Sequence, residues 1–254
     1  MATGKIHQDL CNLKKKGDSA FAVLADPDKI STSDMRYLAE LCNDAGVNFL
    51  FIGGSLLMAH QLDASIQSFK AESDIPVILF PGSPAQVTPY ADALLYLSVV
   101  SGRNAELLIG QHVVSAPVVK ASGLEVISTG YMIIDGGVQT TVSYMSNAMP
   151  IPANKPEIAL CTAWAAEMQG KHVLYMDAGS GALNPVSAEM IKKVSMHTDI
   201  PLIVGGGIHT PEKVYANCQA GANVIVVGNA IERDPLLIRD LCQATRQGGQ
   251  KQTA

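Results

Sequence analysis

Two glycine-containing turns near the end of the chain constrain its fold more than any other feature of the sequence. The first, Gly205-Gly206-Gly207, follows the apolar run 201–204, and the second, Gly228-Asn229, follows the apolar run 223–227. At such a turn glycine lets the backbone approach a ligand, and the free N–H groups of the next helix can hold an anion. Two in succession, closing a chain of this length, predict the phosphate site after strands 7 and 8 of a (β/α)₈ barrel. Two ordinary tight strand-to-helix turns are the alternative interpretation.

Eight apolar runs recur along the chain with helical stretches between them, as such a barrel requires. They are nearly continuously apolar rather than alternating, which is typical of parallel strands covered on both faces. An open doubly wound sheet also alternates strands with helices, but it seldom needs eight strands and lacks the terminal pair of glycine turns. We therefore predict an α/β fold, a single (β/α)₈ TIM barrel. The predicted strands are residues 20–24, 47–52, 76–80, 94–100, 125–129, 172–176, 201–204 and 223–227.

Length and composition agree with one barrel domain. The 254 residues, 48% of them hydrophobic, can bury one substantial core, so residues 1–254 are predicted to form a single domain. Residues 245–254 are polar and are expected to form a frayed tail. No apolar run approaches the roughly 18–20 residues that a membrane span needs.

Charge, cysteine usage and missing motifs exclude several classes of function. The net charge of −5 argues against nucleic-acid binding, which needs a basic face. Five cysteines without C-x-x-C spacing indicate reduced thiols rather than a disulfide framework or a zinc site. Because the first residues also lack the order of a signal peptide, we expect a cytoplasmic protein. No nucleophile elbow, Walker loop or dinucleotide-binding turn is present.

The ends of the first two predicted strands carry oxygen ligands. Asp26 and Asp28 follow the first strand, within Asp26-Pro27-Asp28-Lys29, and Ser55 follows the second, within Gly53-Gly54-Ser55. Carboxylate and hydroxyl oxygens of this kind suit Mg²⁺, which usually keeps several waters. A capped turn with a solvated ion pair explains the first segment equally well, and spacing alone favours neither interpretation.

The end of the sixth predicted strand combines a phenol, an acid and an anion-binding turn. Tyr175 and Asp177 share one face of an extended strand, while Met176 points to the other. Gly179-Ser180-Gly181 follows at once and offers backbone N–H groups to an anion. This grouping suggests a phosphorylated substrate whose hydroxyl is deprotonated or held for attack. A turn that merely ends the strand is the alternative.

Taken together, these segments resemble the geranylgeranylglyceryl phosphate synthase family. The resemblance runs from about Ala20 to Leu241, and its Ala-Gly-Ser-Gly-Ala stretch at 178–182 is similar to the branch of many archaea and some bacteria rather than the longer-chain branch of Gram-positive bacteria. Its most specific parts are Asp26-Pro27-Asp28-Lys29, Ile52-Gly53-Gly54-Ser55, Tyr175-Met176-Asp177-Ala178-Gly179-Ser180-Gly181, Gly205-Gly206-Gly207-Ile208 and Gly228-Asn229-Ala230.

The resemblance implies a Mg²⁺-dependent prenyltransferase that joins a geranylgeranyl group from geranylgeranyl diphosphate to the C3 hydroxyl of sn-glycerol 1-phosphate, giving an ether-lipid precursor. Asp26 and Ser55 would hold Mg²⁺, and Asp177 and Tyr175 would be catalytic. The residues implied for sn-glycerol 1-phosphate are Tyr175, Met176, Asp177, Ala178, Gly179, Ser180, Gly181, Gly206, Gly207, Gly228 and Asn229. One departure concerns Asp177, because the family often has glutamate there, and this puts the reach of the acid in question.

Several points stay open at this stage. A longer-chain transferase of the heptaprenylglyceryl phosphate synthase type, another phosphate-binding barrel enzyme such as an isomerase or a thiamine phosphate synthase, and a non-catalytic phosphate-binding protein are alternatives. The family implies a homo-oligomer, a dimer or hexamer, with Tyr144 as an interface candidate, and its lipid product implies peripheral membrane contact. The expected lining of a prenyl groove, where core packing is the competing role, is Leu56, Leu57, Tyr96, Val99 and Tyr131.

Overall fold

Eight parallel strands form a closed barrel in the computed structural model, which describes residues 4–59 and 61–249. Each strand pairs with the next along the chain, and the eighth closes on the first. The predicted TIM barrel and all eight predicted strands are confirmed. The strands are β1 (Ala20–Ala25), β2 (Phe49–Ile52), β3 (Val77–Leu79), β4 (Ala93–Val99), β5 (Glu125–Ile133), β6 (Val173–Asp177), β7 (Leu202–Gly205) and β8 (Val224–Val227).

Helices surround the barrel and follow its strands. A 3₁₀ turn at 84–86 and a π-helical turn at 106–110 lie on either side of β4. No helix in the two described ranges is long and apolar enough to cross a membrane. The helices are α1 (Lys5–Lys16), α2 (Thr32–Ala45), α3 (Leu62–Lys70), α4 (Gln111–Ser122), α5 (Thr141–Ser146), α6 (Pro156–Met168), α7 (Ala188–Met196), α8 (Pro211–Gln219), α9 (Asn229–Arg233) and α10 (Leu237–Gly249).

The apolar residues of the strands divide between two layers, as the alternation of side chains along a strand requires. One set packs inside the barrel, and the other packs between the strands and the helices. Helix α1 seals the N-terminal end of the barrel, where its Ile6 and Leu10 join the interior set. Glu125 at the start of β5 accepts hydrogen bonds from the N–H groups of Ile6 (3.0 Å) and His7 (2.7 Å), which anchors the first turn of α1.

Strand β5 extends four residues beyond its predicted end, and this extension positions the site. It places Tyr131 within the strand, where its register partner is Tyr175 on β6. Ile133 lies opposite Asp177 in the same ladder. The phenol of Tyr131 therefore enters the barrel beside the two candidate catalytic residues of β6.

The predicted frayed tail begins too early. Residues 245–249 belong to α10, and Thr245 is buried and donates a hydrogen bond to the carbonyl of Leu241 (2.9 Å). The two glycines allow close packing: an added Cβ would lie 2.7 Å from Cys218 Cβ at Gly248 and 2.7 Å from Ser19 N at Gly249. These two glycines allow the helix to pack closely and do not end it, so the prediction of a frayed tail was wrong for residues 245–249. Residues 250–254 lie outside the described part.

Candidate active site

A polar cavity of about 310 Å³ opens at the carboxyl ends of the strands, where ligands bind in this fold. Apart from Met176, Ala178 and Asp28, every residue considered for catalysis, metal binding or substrate binding lines it. These residues come from five strand ends that are far apart in sequence, so closure of the barrel brings them together. They are Asp26, Ser55, Tyr175, Asp177, Gly179, Ser180, Gly181, Gly206, Gly207, Gly228 and Asn229.

Met176 and Ala178 do not line this cavity, and their predicted contact with the substrate stays a prediction. Both side chains pack in the layer between strands and helices, 0% and 1% exposed. Side chains alternate along β6, so a strand that aims Tyr175 and Asp177 into the barrel turns these two outward. The N–H of Ala178 donates to the carbonyl of Gly205 (3.2 Å), which joins the ends of β6 and β7.

Asp177 is the buried acid of the cavity, and both of its oxygens accept hydrogen bonds. The Tyr131 hydroxyl donates to Oδ2, and the N–H of Gly179 donates to Oδ1 at 2.7 Å. Burial raises the pKa of Asp177, and the two hydrogen bonds offset part of that rise because they stabilise the carboxylate. The contact with Tyr131 was missed from the sequence, where Tyr131 was expected only to line a prenyl groove.

Tyr175 and Tyr131 remain phenols at neutral pH. Burial raises the pKa of both well above the usual value, and the neighbouring Asp177 carboxylate raises it further. They therefore act as hydrogen-bond donors rather than as bases. Their rings form a cluster with Phe80, whose centroid lies 5.0 Å from that of Tyr175 and 5.7 Å from that of Tyr131.

The turns after β6 and β7 touch through glycine. Gly206 has φ +81°, and a Cβ there would lie 2.5 Å from Gly179 N and 2.6 Å from Asp177 Oδ1. A side chain at this position would displace the β6 turn, so glycine is required for close approach as well as for conformation. The Ser180 hydroxyl donates to Asn229 Oδ1 (2.9 Å), which ties the β6 turn to the start of α9. The predicted phosphate-binding turns are thus adjacent to one another.

The candidate metal side of the cavity is built from the ends of β1 and β2. A Cβ on Gly54 would lie 3.7 Å from Asp26 Oδ1, so Asp26 and the turn that carries Ser55 are adjacent. The described residues contain no group of three or more His, Cys, Asp or Glu side chains suited to a metal. One carboxylate and one hydroxyl fit Mg²⁺, which takes its other oxygens from water and from substrate phosphates.

Asp28 has a structural role instead. Its carboxylate accepts hydrogen bonds from the N–H groups of Met58 and Ala59 (3.1 Å for Ala59), which holds the loop after β2. It does not line the polar cavity. The two carboxylates of the Asp26–Lys29 segment are thereby separated, and only Asp26 faces the candidate metal site.

Two further charged side chains line this end of the cavity: Lys29, which the sequence offered only as part of an ion pair in its turn, and Glu232, which the sequence did not single out. Lys29 Nζ lies 3.4 Å from Asp26 Oδ2 and 3.2 Å from Glu232 Oε2 on α9. Burial alone would lower the pKa of Lys29, but the carboxylates of Glu232 and Asp26 raise it overall. Glu232 also lines the cavity, and it could not be placed there without knowing that α9 lies beside the loop that follows β1.

Gln86 holds the turn on which Ser55 sits. Its side chain is buried, accepts a hydrogen bond from the N–H of Gly82 (3.0 Å) and donates one to the carbonyl of Gly54 (2.9 Å). The loops after β2 and β3 are thus joined by one amide group. No local pattern in the sequence marks Gln86 for this role.

A second, apolar cavity of about 170 Å³ lies between β4 and α4. Tyr96, Val99 and Tyr131 line it as expected for a prenyl groove, whereas Leu56 lines the polar cavity and Leu57 lines neither. The two cavities meet, because one set of residues lines both of them. This shared set is Gly54, Ser55, Phe80, Tyr131 and Val142.

Residues 13–245 match the model of the PcrB family. The chain belongs to the PcrB family. Two relatives named geranylgeranylglyceryl phosphate synthase, from Chitinophaga pinensis and Spirosoma linguale, are 58% and 49% identical to it, over 94% and 95% of this chain and 95% and 97% of theirs. The crystal structure of (S)-3-O-geranylgeranylglyceryl phosphate synthase from Thermoplasma acidophilum in complex with substrate sn-glycerol-1-phosphate is similar at 31% identity and a TM-score of 0.90, over 96% of this chain and 99% of that one. The resemblance drawn from the motifs is confirmed, and this chain is a prenyltransferase similar to geranylgeranylglyceryl phosphate synthase.

Proposed function

We propose that the protein transfers the geranylgeranyl group of geranylgeranyl diphosphate to the C3 hydroxyl of sn-glycerol 1-phosphate in a Mg²⁺-dependent reaction. One observation carries the proposal: a polar cavity with glycine turns and an apolar cavity meet at Ser55, Phe80 and Tyr131. The polar cavity suits a glycerol phosphate, and the apolar cavity suits a prenyl chain. The name of the relatives and the ligand of the Thermoplasma acidophilum structure support the same pair of substrates.

The reaction exchanges one carbon–oxygen bond for another at the junction of the cavities. Bound at Asp26 and Ser55, Mg²⁺ would neutralise charge on the diphosphate. The bond from prenyl C1 to the diphosphate oxygen breaks, its electron pair leaves with the diphosphate, and the glycerol C3 oxygen bonds to C1. Asp177 accepts the hydroxyl proton, and its raised pKa makes it a stronger acceptor than an exposed aspartate.

The aromatic rings at the junction favour the transition state. As the diphosphate departs, the allylic C1 gains positive charge, which the faces of aromatic rings attract. Phe80, Tyr131 and Tyr175 form a cluster beside Asp177, and Phe80 and Tyr131 line both cavities. Asp177 contributes a negative charge to the same region, so it stabilises the cation as well as accepting the proton.

The acceptor is oriented by backbone groups rather than by lysines. The turns at Gly179–Gly181, Gly206–Gly207 and Gly228–Asn229 surround one part of the polar cavity. Backbone N–H groups in such turns bind phosphate oxygens. With the phosphate held there and Asp177 facing the C3 hydroxyl, only one enantiomer of glycerol phosphate presents that hydroxyl correctly.

A radiolabel assay tests the proposal. Purified protein is incubated with Mg²⁺ or with EDTA, with sn-glycerol 1-phosphate or the 3-phosphate, and with C15, C20 or C35 prenyl diphosphates. We expect a labelled ether product that requires Mg²⁺, the 1-phosphate and, for the highest kcat/KM, the C20 donor. A higher kcat/KM with the C35 donor would assign the longer-chain activity instead. Equal kcat/KM for the two glycerol phosphates would contradict the proposed acceptor site.

We also propose that the protein is a cytoplasmic homo-oligomer, a dimer or hexamer, that contacts membranes peripherally through its lipid product. Tyr144 on α5 is 71% exposed, which supports an interface there, and all five cysteines are free, which supports a reducing compartment. Light scattering after gel filtration measures the oligomeric state, and cell fractionation measures the location. A monomer at micromolar concentration would contradict the first part.

A further inference from the structure

Lys29 is the only lysine or arginine in the lining of the polar cavity within the described ranges. Its ammonium lies between two carboxylates, 3.4 Å from Asp26 Oδ2 and 3.2 Å from Glu232 Oε2. All three residues line the cavity, and Asp26 is also the candidate metal ligand. The ammonium and the metal therefore need the same carboxylate.

A surface ion pair that only stabilises the fold explains this arrangement poorly. Pairs that remain partly exposed contribute little to stability. The side chain of Lys29 is 48% exposed, and its two partners are 21% and 30% exposed. An ammonium on the cavity wall beside the candidate metal ligand is instead well placed for an anion.

The two anionic groups of the substrates also differ in what the protein offers them. The glycerol phosphate is served by glycine turns after β6, β7 and β8, as described above. The donor diphosphate, placed against Asp26 and Ser55 by the proposed function, adjoins the end of the cavity where Lys29 and its two carboxylate partners lie. Of the three charged side chains at this end, Lys29 is the cation.

We propose that Lys29 binds the diphosphate of the prenyl donor and that it changes partners when Mg²⁺ and donor enter. In this exchange Asp26 releases the ammonium and turns to the metal, and Lys29 turns to the diphosphate oxygens. Glu232 keeps its contact with Lys29 throughout and positions the ammonium. The inference rests on the proposed function for the place of the diphosphate.

Calorimetry with two probes, Mg²⁺ alone and inorganic pyrophosphate at saturating Mg²⁺, tests the exchange. In Lys29→Met we expect pyrophosphate affinity to fall about tenfold, because a charge-assisted hydrogen bond is lost. Affinity for Mg²⁺ alone should rise about threefold, because Asp26 loses its competing cation. In Glu232→Gln the Lys29 ammonium keeps Asp26 as its one carboxylate partner and competes more strongly with the metal for it. The affinity for Mg²⁺ without pyrophosphate should therefore fall about threefold.

The matched control is Lys193→Met, which removes the lysine of an ion pair with Glu157 between α6 and α7. It should change neither affinity, and sn-glycerol 1-phosphate should bind all three variants within about twofold of the wild type. Unchanged pyrophosphate affinity in Lys29→Met would overturn the proposal, as would a fall in affinity for both probes, which indicates general damage. Because these readouts are binding constants, absence of prenyl transfer by the wild type would count against the proposed function alone.

Discussion

The polar and apolar cavities adjoin each other but are built on different principles. The polar cavity, about 310 Å³, is formed largely by turns at the ends of strands, where glycines give the backbone its shape. The apolar cavity, about 170 Å³, is formed by side chains of β4, α4 and the segments beside them. The first is thus fixed by local backbone geometry, and the second depends on how distant elements pack.

The polar side chains near the two cavities also differ in charge. His112, which lines the apolar cavity, is hydrogen-bonded to a group outside the lining: its Nε2 lies 3.1 Å from Ser98 Oγ, which accepts a hydrogen bond from Lys171 Nζ (2.7 Å). Burial lowers the pKa of His112, and the nearby Lys171 lowers it further, so this histidine is neutral at neutral pH. The polar cavity, by contrast, is lined by the carboxylates of Asp26, Asp177 and Glu232, and Asp177 keeps its hydrogen bonds from Tyr131 and Gly179 there. The comparison indicates that the polar cavity acts on its ligand through charge and the apolar cavity through shape.

Removing the charge of Asp177 should have the largest effect of any single change. For Asp177→Asn we expect kcat to fall by roughly 10²–10⁴-fold, because the general base is lost. The affinity for sn-glycerol 1-phosphate should change little, since the glycine turns are intact. Steady-state kinetics and calorimetry measure the two quantities.

The outcome for Asp177 has two informative alternatives. Asp177→Glu should keep much of the activity, because glutamate is the acid that the family often carries. If Asp177→Asn loses affinity at unchanged kcat, the residue is a binding group. If that variant is fully active, the base lies elsewhere and the charge of the polar cavity is not used in catalysis.

A change in the backbone shape of the polar cavity should have the second largest effect. Gly206→Ala is expected to weaken sn-glycerol 1-phosphate binding by about 10- to 100-fold, the loss of one or two charge-assisted hydrogen bonds as the β6 turn shifts. Gly170→Ala is the matched control, since Gly170 has φ +77° but an added Cβ would meet nothing within 4 Å. The control should lose about 1–2 kcal/mol of stability from the left-handed backbone and keep normal binding. Equal affinities in the two variants would mean that close approach at Gly206 is irrelevant.

The same comparison explains what the sequence could and could not predict. The barrel, its eight strands and most of the polar cavity were readable because each element leaves a local signal: an apolar run, a glycine turn, an acid two residues from a phenol. Met176 and Ala178 were predicted as part of the whole motif, which does not show that alternation along β6 turns their side chains outward.

What was missed depends on register and packing. Tyr131 reaches Asp177 because β5 continues to Ile133 and pairs Tyr131 with Tyr175, which no local pattern reveals. Gln86 joins two loops across 32 residues of sequence, and Glu232 meets Lys29 across 203. Contacts of this kind appear only once the barrel is closed.

Tyr131 links the two cavities, and its hydroxyl should have an intermediate effect. Tyr131→Phe is expected to lower kcat about tenfold, the loss of one hydrogen bond to a charged group. That bond lowers the pKa of Asp177, so its removal raises the pKa further. Because Asp177 must be ionised to act as a base, the acid limb of the pH profile of kcat should move to higher pH. Tyr96→Phe is the control. The Tyr96 hydroxyl donates to the His112 carbonyl instead (2.6 Å), so its removal should leave the acid limb in place.

The smallest effect is expected at the far wall of the apolar cavity, and it separates shape from charge. Val119 on α4 lines this cavity but not the polar one, and its side chain is buried. Val119→Phe should narrow the space and raise the KM for geranylgeranyl diphosphate about five- to tenfold, the cost of forcing a long chain into an overfilled site. The KM for a C10 donor should change less, because a shorter chain ends before the obstruction, and the affinity for sn-glycerol 1-phosphate should not change. A parallel rise in KM for both donors would indicate that α4 has shifted as a whole. An unchanged KM for the C20 donor would mean that the prenyl chain lies outside this cavity.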